Sequence, residues 1–196
     1  MRKLAIALVL LVLLGGFPPA FCQLEDLPSE EEVPDTTRVR IGDTTAVPGE
    51  TLTLPIYLTP AKGARVGSLQ IEISFVSENL KFVRLDPGIV AESGNLQLQT
   101  DVKTGKDEEN IERSTVMIAA SVREGNSDPI GSGLLAYLIL KTSEQARPAN
   151  ITLRASGTAT ELNTKKLLEK FEVLNARVDV YAPGDRPVVS CFFFTH

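Results

Sequence analysis

The sequence predicts an all-β fold, an antiparallel β-sandwich. Three observations carry this: short segments alternate apolar and polar residues, turn residues separate those segments at close intervals, and only residues 162–171 have any helical character. The strictest alternation is at residues 66–75, where Leu69, Ile71, Ile73 and Phe75 are apolar and Ser68, Gln70, Glu72 and Ser74 are polar. A period of two belongs to a strand with one face in a core and the other toward water or a partner. That polar face is where a sandwich domain can present a binding surface.

The elements follow in order. Residues 37–41 form a short strand with Val39 and Ile41 apolar, and Val47-Pro48-Gly49-Glu50 is a turn. Residues 51–59 place Leu52, Leu54, Ile56 and Leu58 on one face; Pro55 among them predicts an edge position or a bulge, because proline cannot donate to a ladder. After the strand at 66–75, the chain turns through Ser77-Glu78-Asn79, resumes with Leu80, Phe82 and Leu85, and stops at Asp86-Pro87-Gly88. Further strands are expected at 95–102, 114–122, 133–142, 149–160 and 176–181, and residues 101–110 read as a solvated loop. Two strands are apolar on both faces: Val116, Ile118 and Ala120 alternate with Met117 and Ala119, and Leu134, Ala136, Leu138 and Leu140 alternate with Leu135, Tyr137 and Ile139. Their outer faces require either a covering loop or a partner. There is no internal repeat.

The N-terminus reads as a signal peptide over residues 1–22. Arg2 and Lys3 precede an apolar run at 4–14, which matches the roughly 7–15 residues of a signal core and falls short of the about 20 needed to span a membrane. Cleavage after Cys22 or Ala20 is expected. Lipid attachment at Cys22 is the alternative, with Phe21 standing where a lipoprotein signal takes a small residue. Residues 23–36 are acidic, contain proline and read as a disordered spacer. The domain is then 37–182, followed by a tail at 183–196 whose apolar stretch 188–194 has no assigned role. Losing Arg2 and Lys3 leaves 18 basic against 25 acidic residues, a net charge of −7. An acidic chain without a basic stripe excludes nucleic acid as the expected partner. With Cys22 removed, Cys191 has no internal partner, so stability must come from the core.

The residues do not assemble a catalyst. The single histidine is His196, which leaves no positioned imidazole for a Ser–His or Cys–His nucleophile and no histidine metal site. Residues 101–110 lack the order of a calcium-binding EF-hand loop, and no spacing selects a pair of glycosidase carboxylates. The expectation is a non-enzyme with no cofactor or metal of its own.

Two ordered segments carry a family resemblance. One is Val47-Pro48-Gly49-Glu50-Thr51-Leu52-Thr53-Leu54-Pro55-Ile56-Tyr57-Leu58, before the strand from Val66; the other is Gly131-Ser132-Gly133-Leu134-Leu135-Ala136-Tyr137-Leu138-Ile139-Leu140-Lys141. With residues 66–75, 80–83, 86–88 and 115–121 between them, the chain resembles the cohesin family over roughly 37–181. The resemblance implies a sandwich of jelly-roll type with about nine strands. It also implies a secreted, non-catalytic module that binds a dockerin-type module of another secreted protein, linking it indirectly to polysaccharide. Calcium in such complexes belongs to the dockerin. Cohesins of cellulase complexes often carry an Asn-x-Asp pair on the strand matching residues 66–75. Here those positions are Ser68 and Gln70, with Glu72 next on the same face. The comparison adds Ile118 and Ser121, so the expected partner-binding set is Ser68, Gln70, Glu72, Ile118 and Ser121, with Ile118 as its apolar centre. Two other readings of a sandwich are a carbohydrate-binding module, for which the chain has no tryptophan and only Tyr57, Tyr137 and Tyr181, and a surface subunit that self-assembles through sheet edges.

Overall fold

The computed structural model describes residues 34–185. The signal-like segment with Cys22, the spacer up to residue 33, and the tail from residue 186 with Cys191 and His196 lie outside the described residues. In chain order the strands are β1 (Thr37–Ile41), β2 (Thr44–Ala46), β3 (Thr51–Thr59), β4 (Val66–Val76) and β5 (Leu80–Pro87), then a short helix α1 (Ile89–Ser93), then β6 (Gln97–Lys106), β7 (Glu112–Ser121), β8 (Gly133–Thr142), β9 (Ala149–Glu161), β10 (Phe171–Leu174) and β11 (Ala176–Val180). One sheet is ordered β10-β1-β3-β8-β5 and the other β2-β11-β9-β4-β7-β6. Pairing is antiparallel except for the two short contacts β1–β10 and β2–β11, which are parallel.

The inner residues of each strand meet between the sheets. Leu52, Leu54, Ile56 and Leu58 of β3 and Leu138 and Leu140 of β8 face Leu69, Ile71, Ile73 and Phe75 of β4 and Val116, Ile118 and Ala120 of β7, all in one buried cluster. Full burial of a side chain of this size contributes about 1.5–3 kcal/mol, so the period-two pattern itself decides which way each strand faces. The two packed sheets form a sandwich of jelly-roll type.

Several local expectations change. The described residues hold eleven strands; β2 and β10 have three and four residues, too few to show a period in sequence. Residues 162–171 form no helix: the chain turns after Glu161, makes a bridge from Leu167 back to Thr160, and enters β10. The helix is instead α1, directly after Pro87. Gly88 is its extended N-cap and Gly94 its C-cap, and Val90 and Ala91 are buried. The segment 101–110 is not a loop, because β6 runs to Lys106 and only the turn from Asp107 separates it from β7.

Pro55 sits beside a register shift of the β3–β8 ladder between Ile56 and Tyr57, the expected bulge. It also lies just past the end of β1, whose pairing with β3 stops at Ile41 opposite Ile56. The two doubly apolar strands resolve differently. Leu135, Ala136 and Ile139 of β8 are buried, with α1 placed against this strand. On β7 the outer residues Met117 and Ala119 are half-buried and exposed.

Gly67 is buried at the irregularity where β4 leaves its pairing with β9. A Cβ there would lie 2.4 Å from Leu162 Cα and 2.8 Å from its backbone nitrogen. Backbone cannot rotate away as a side chain does, so Gly67→Ala is expected to cost about 1–3 kcal/mol, measured as a lower midpoint in urea at unchanged slope.

Candidate protein-interaction face

Strand register determines what the second sheet shows to solvent. β4 pairs with β7 so that Ser68 stands opposite Ser121, Gln70 opposite Ala119 and Glu72 opposite Met117. On the other side of β4, the same three residues stand opposite Thr160, Thr158 and Ser156 of β9. β6 extends the rows with Gln97, Gln99 and Asp101 opposite Ser121, Ala119 and Met117. The outward face therefore reads in rows across four strands: Thr160-Ser68-Ser121-Gln97, then Thr158-Gln70-Ala119-Gln99, then Ser156-Glu72-Met117-Asp101, then Arg154-Ser74-Thr115-Lys103.

This surface is graded. Its first two rows carry only hydroxyl, amide and methyl groups. The third sets two carboxylates either side of Met117, and the fourth places a cation at each margin. Ala119 and Met117 form a small apolar centre within a polar surround, the arrangement in which a buried contact is enclosed by a rim. In the first row, the hydroxyls of Ser68 and Thr160 hydrogen-bond at 2.7 Å, which holds both side chains in place at the margin.

Of the five expected site residues, Ser68, Gln70, Glu72 and Ser121 share this face. Ile118 does not: it pairs with Ile71 and is 0% exposed in the core. A regular strand sends residues 118 and 121 to opposite faces, because they differ by an odd number of positions. The apolar centre is Met117 with Ala119. The expectation went wrong because β7 is apolar on both faces, so composition did not mark the inner one. Ser121, already assigned outward, held the missing signal, since residues 119 and 117 follow it at period two. The β6 and β9 members of the rows were missed because a face spanning four strands depends on register, which sequence does not print.

A groove of about 420 Å³ opens over the third and fourth rows, from Glu72 and Met117 through Ser74 and Thr115 to Asp107 and Arg113 at the β6–β7 turn. Arg113 Nε donates to Asp107 Oδ2 at 2.6 Å, and Asp107 Oδ1 accepts from the backbone N–H groups of Glu109 at 3.0 Å and Ile111 at 2.9 Å. The hydrogen bond from Arg113, followed by that from Ile111, holds the Asp107 carboxyl below its ordinary value. A depressed carboxyl stabilises the fold above its unfolded pKa, and that contribution is lost as pH falls through the folded pKa. The β6–β7 turn is therefore expected to loosen in acid. Asp107→Ala should lower Tm at neutral pH and flatten the acid limb of a Tm-versus-pH curve; an unchanged acid limb would contradict the assignment.

Among the described residues no group of three or more His, Cys, Asp or Glu side chains is placed to hold a metal ion. Tyr57 and Tyr137 lie near one another on the outer face of the opposite sheet, where Tyr137 is opposite Pro55 and Asp86.

A cohesin-domain family model matches residues 37–176. No curated protein matches the chain. Among solved structures, the fold is similar to the third ScaC cohesin of Acetivibrio cellulolyticus, solved in complex with the ScaB dockerin, at TM-score 0.58 and 16% identity over 74% of this chain and 98% of that one. It is similar to the OlpA cohesin of Clostridium thermocellum in complex with Doc918, at TM-score 0.59 and 14% identity over 74% and 99%. It is also similar to a non-cellulosomal cohesin from the hyperthermophilic archaeon Archaeoglobus fulgidus, at TM-score 0.57 and 15% identity over 76% and 94%. With the family model covering well over half of the sequence, the chain belongs to the cohesin family.

Proposed function

We propose that this chain is a non-catalytic interaction module that binds a dockerin-type partner through the outward face of β9-β4-β7-β6. The observation that carries the reading is the graded four-strand surface centred on Met117 and Ala119, in a chain of this family whose solved relatives include cohesin–dockerin complexes. The revised contact set is Ser68, Gln70, Glu72, Met117, Ala119 and Ser121. The two positions often held by Asn and Asp in cellulase-complex cohesins are Ser68 and Gln70 here. They retain hydrogen-bonding capacity without the charge, and Glu72 supplies the nearest carboxylate. The partner is then a dockerin whose helix meets a hydroxyl-rich end and a charged end.

We further propose export through residues 1–22, a spacer over 23–36 and action outside the cell, alongside polysaccharide-active proteins. Among the described residues no helix is long and apolar enough to cross a membrane. The test is calorimetric titration of the full chain against a panel of dockerin modules, with calcium and with EDTA. Saturable binding that EDTA abolishes is expected, because the resemblance places the calcium of such complexes on the dockerin. Failure of every dockerin to bind would overturn the reading.

A further inference from the structure

Among the described residues the second sheet ends at β6, which pairs there with β7 alone. Nearly every residue of β6 is exposed, and Val102 is 39% exposed on the inner side of the sheet. An unpaired strand of this length is a template for another strand unless something blocks it.

The hydrogen-bond phase of this edge is legible. Glu112 of β7 directs its carbonyl toward β4, where the Ser77 N–H donates to it at 3.0 Å. Even-numbered residues of β7 thus face β4 and odd-numbered ones face β6. Through the register, the odd-numbered residues of β6 bond to β7, and residues 98, 100, 102, 104 and 106 turn their backbone groups to the open side. In agreement, the Val102 N–H donates to Asp101 Oδ1 at 2.9 Å and not to β7.

We infer that β6 is a self-complementary docking strand for a second copy of this chain, pairing antiparallel about a two-fold axis at Val102. In a two-fold antiparallel pair the axis passes through a residue or between residues, and hydrogen-bond phase requires the opposed residues to have equal parity. Only residue-centred axes satisfy that here. Centring on Asp101 or Lys103 would set two like charges opposite each other. Centring on Thr100 or Thr104 would leave Asp101 and Lys103 without ionic partners and shorten the overlap. Centring on Val102 sets Asp101 opposite Lys103 of the second copy, twice. It also sets Thr100 opposite Thr104 and Val102 opposite Val102, and overlaps residues 98–106. Val102 sits in a hydrogen-bonding position of that ladder. On pairing, Asp101 exchanges its contact with the Val102 N–H for the lysine of the second copy, and the central N–H passes to a carbonyl across the axis. The two copies join edge to edge, with the Asp101–Lys103 pairs at the β6 margin of each outward face and the β9-β4-β7 part of that face left open, and the inference does not rest on what that face binds.

A single strand pair is a small interface, so the dimer is concentration-dependent. The test is sedimentation velocity of the full chain from about 10 µM to about 1 mM, with circular dichroism to verify folding. The wild-type chain is expected to shift from monomer to dimer, and added salt to weaken the shift. Asp101→Lys and Lys103→Asp should each lose the dimer, while an equimolar mixture of the two should regain it, because the reversed charges then face each other. Val102→Pro removes the N–H that points to the open edge without touching the β7 ladder, and should also lose the dimer. A monomer across the whole range, a dimer indifferent to both charge reversals, or a mixture that stays monomeric would overturn the inference.

Discussion

Ile118→Ala is expected to destabilise the domain by about 2–5 kcal/mol, the cost of emptying a site that is 0% exposed and packed opposite Ile71. The neighbouring Met117→Ala is expected to change stability much less, because that side chain lies on the outer face and is only partly covered. The contrast between two adjacent apolar residues tests the face assignment without any partner. Urea unfolding of both variants measures it: a midpoint drop confined to Ile118→Ala is the expected result, and equal losses would mean that Met117 is also part of the core. Phe75, equally buried at the far end of β4, provides a scale, since Phe→Ala substitutions in cores cost about 3–5 kcal/mol.

Ala119→Arg is expected to leave folding intact and to weaken dockerin binding by about 2 kcal/mol or more, roughly 30-fold in Kd. Ala119 is exposed in the middle of the second row, between Gln70 and Gln99. An arginine there fills a low, uncharged place at the apolar centre of the face, and it must either hold the partner away or be desolvated beneath it. Gln70→Arg, on the adjacent strand, should act in the same way. Tyr57→Arg, on the opposite sheet, is the control and should leave affinity within a factor of about two. Calorimetry with any dockerin that binds the wild-type chain reads all three. Loss with Tyr57→Arg and retention with Ala119→Arg would move the site to the other sheet.

How much was legible varied with the physical signal available. Strands long enough to alternate were placed within a few residues, because burial imposes period two: β3 and β8 have the expected bounds, and β4 runs one residue past its expected end. β2 and β10 carried too few residues to show a period. α1 was hidden because its five residues span barely more than one turn and follow a Pro-Gly pair that reads equally well as a turn. On the face, Ser68, Gln70 and Glu72 were legible because β4 has one polar side. Ile118 was misplaced because β7 has two apolar sides, and a one-residue slip inverts a strand. The rows contributed by β6 and β9 exist only through pairing across long sequence separations, such as Gln70 with Thr158. The resemblance to cohesins identified the family that the family model matches over residues 37–176, and the register was needed to say which residues its sheet exposes.

The most direct test of the account is a chemical-shift map of the isotopically labelled chain as a calcium-loaded dockerin is added. The account predicts that the largest shifts fall at Gln70, Glu72, Met117, Ala119 and Gln99, with β3 and β8 little changed. Shifts concentrated around Tyr57 and Tyr137 instead, with Gln70 and Ala119 unmoved, would contradict it.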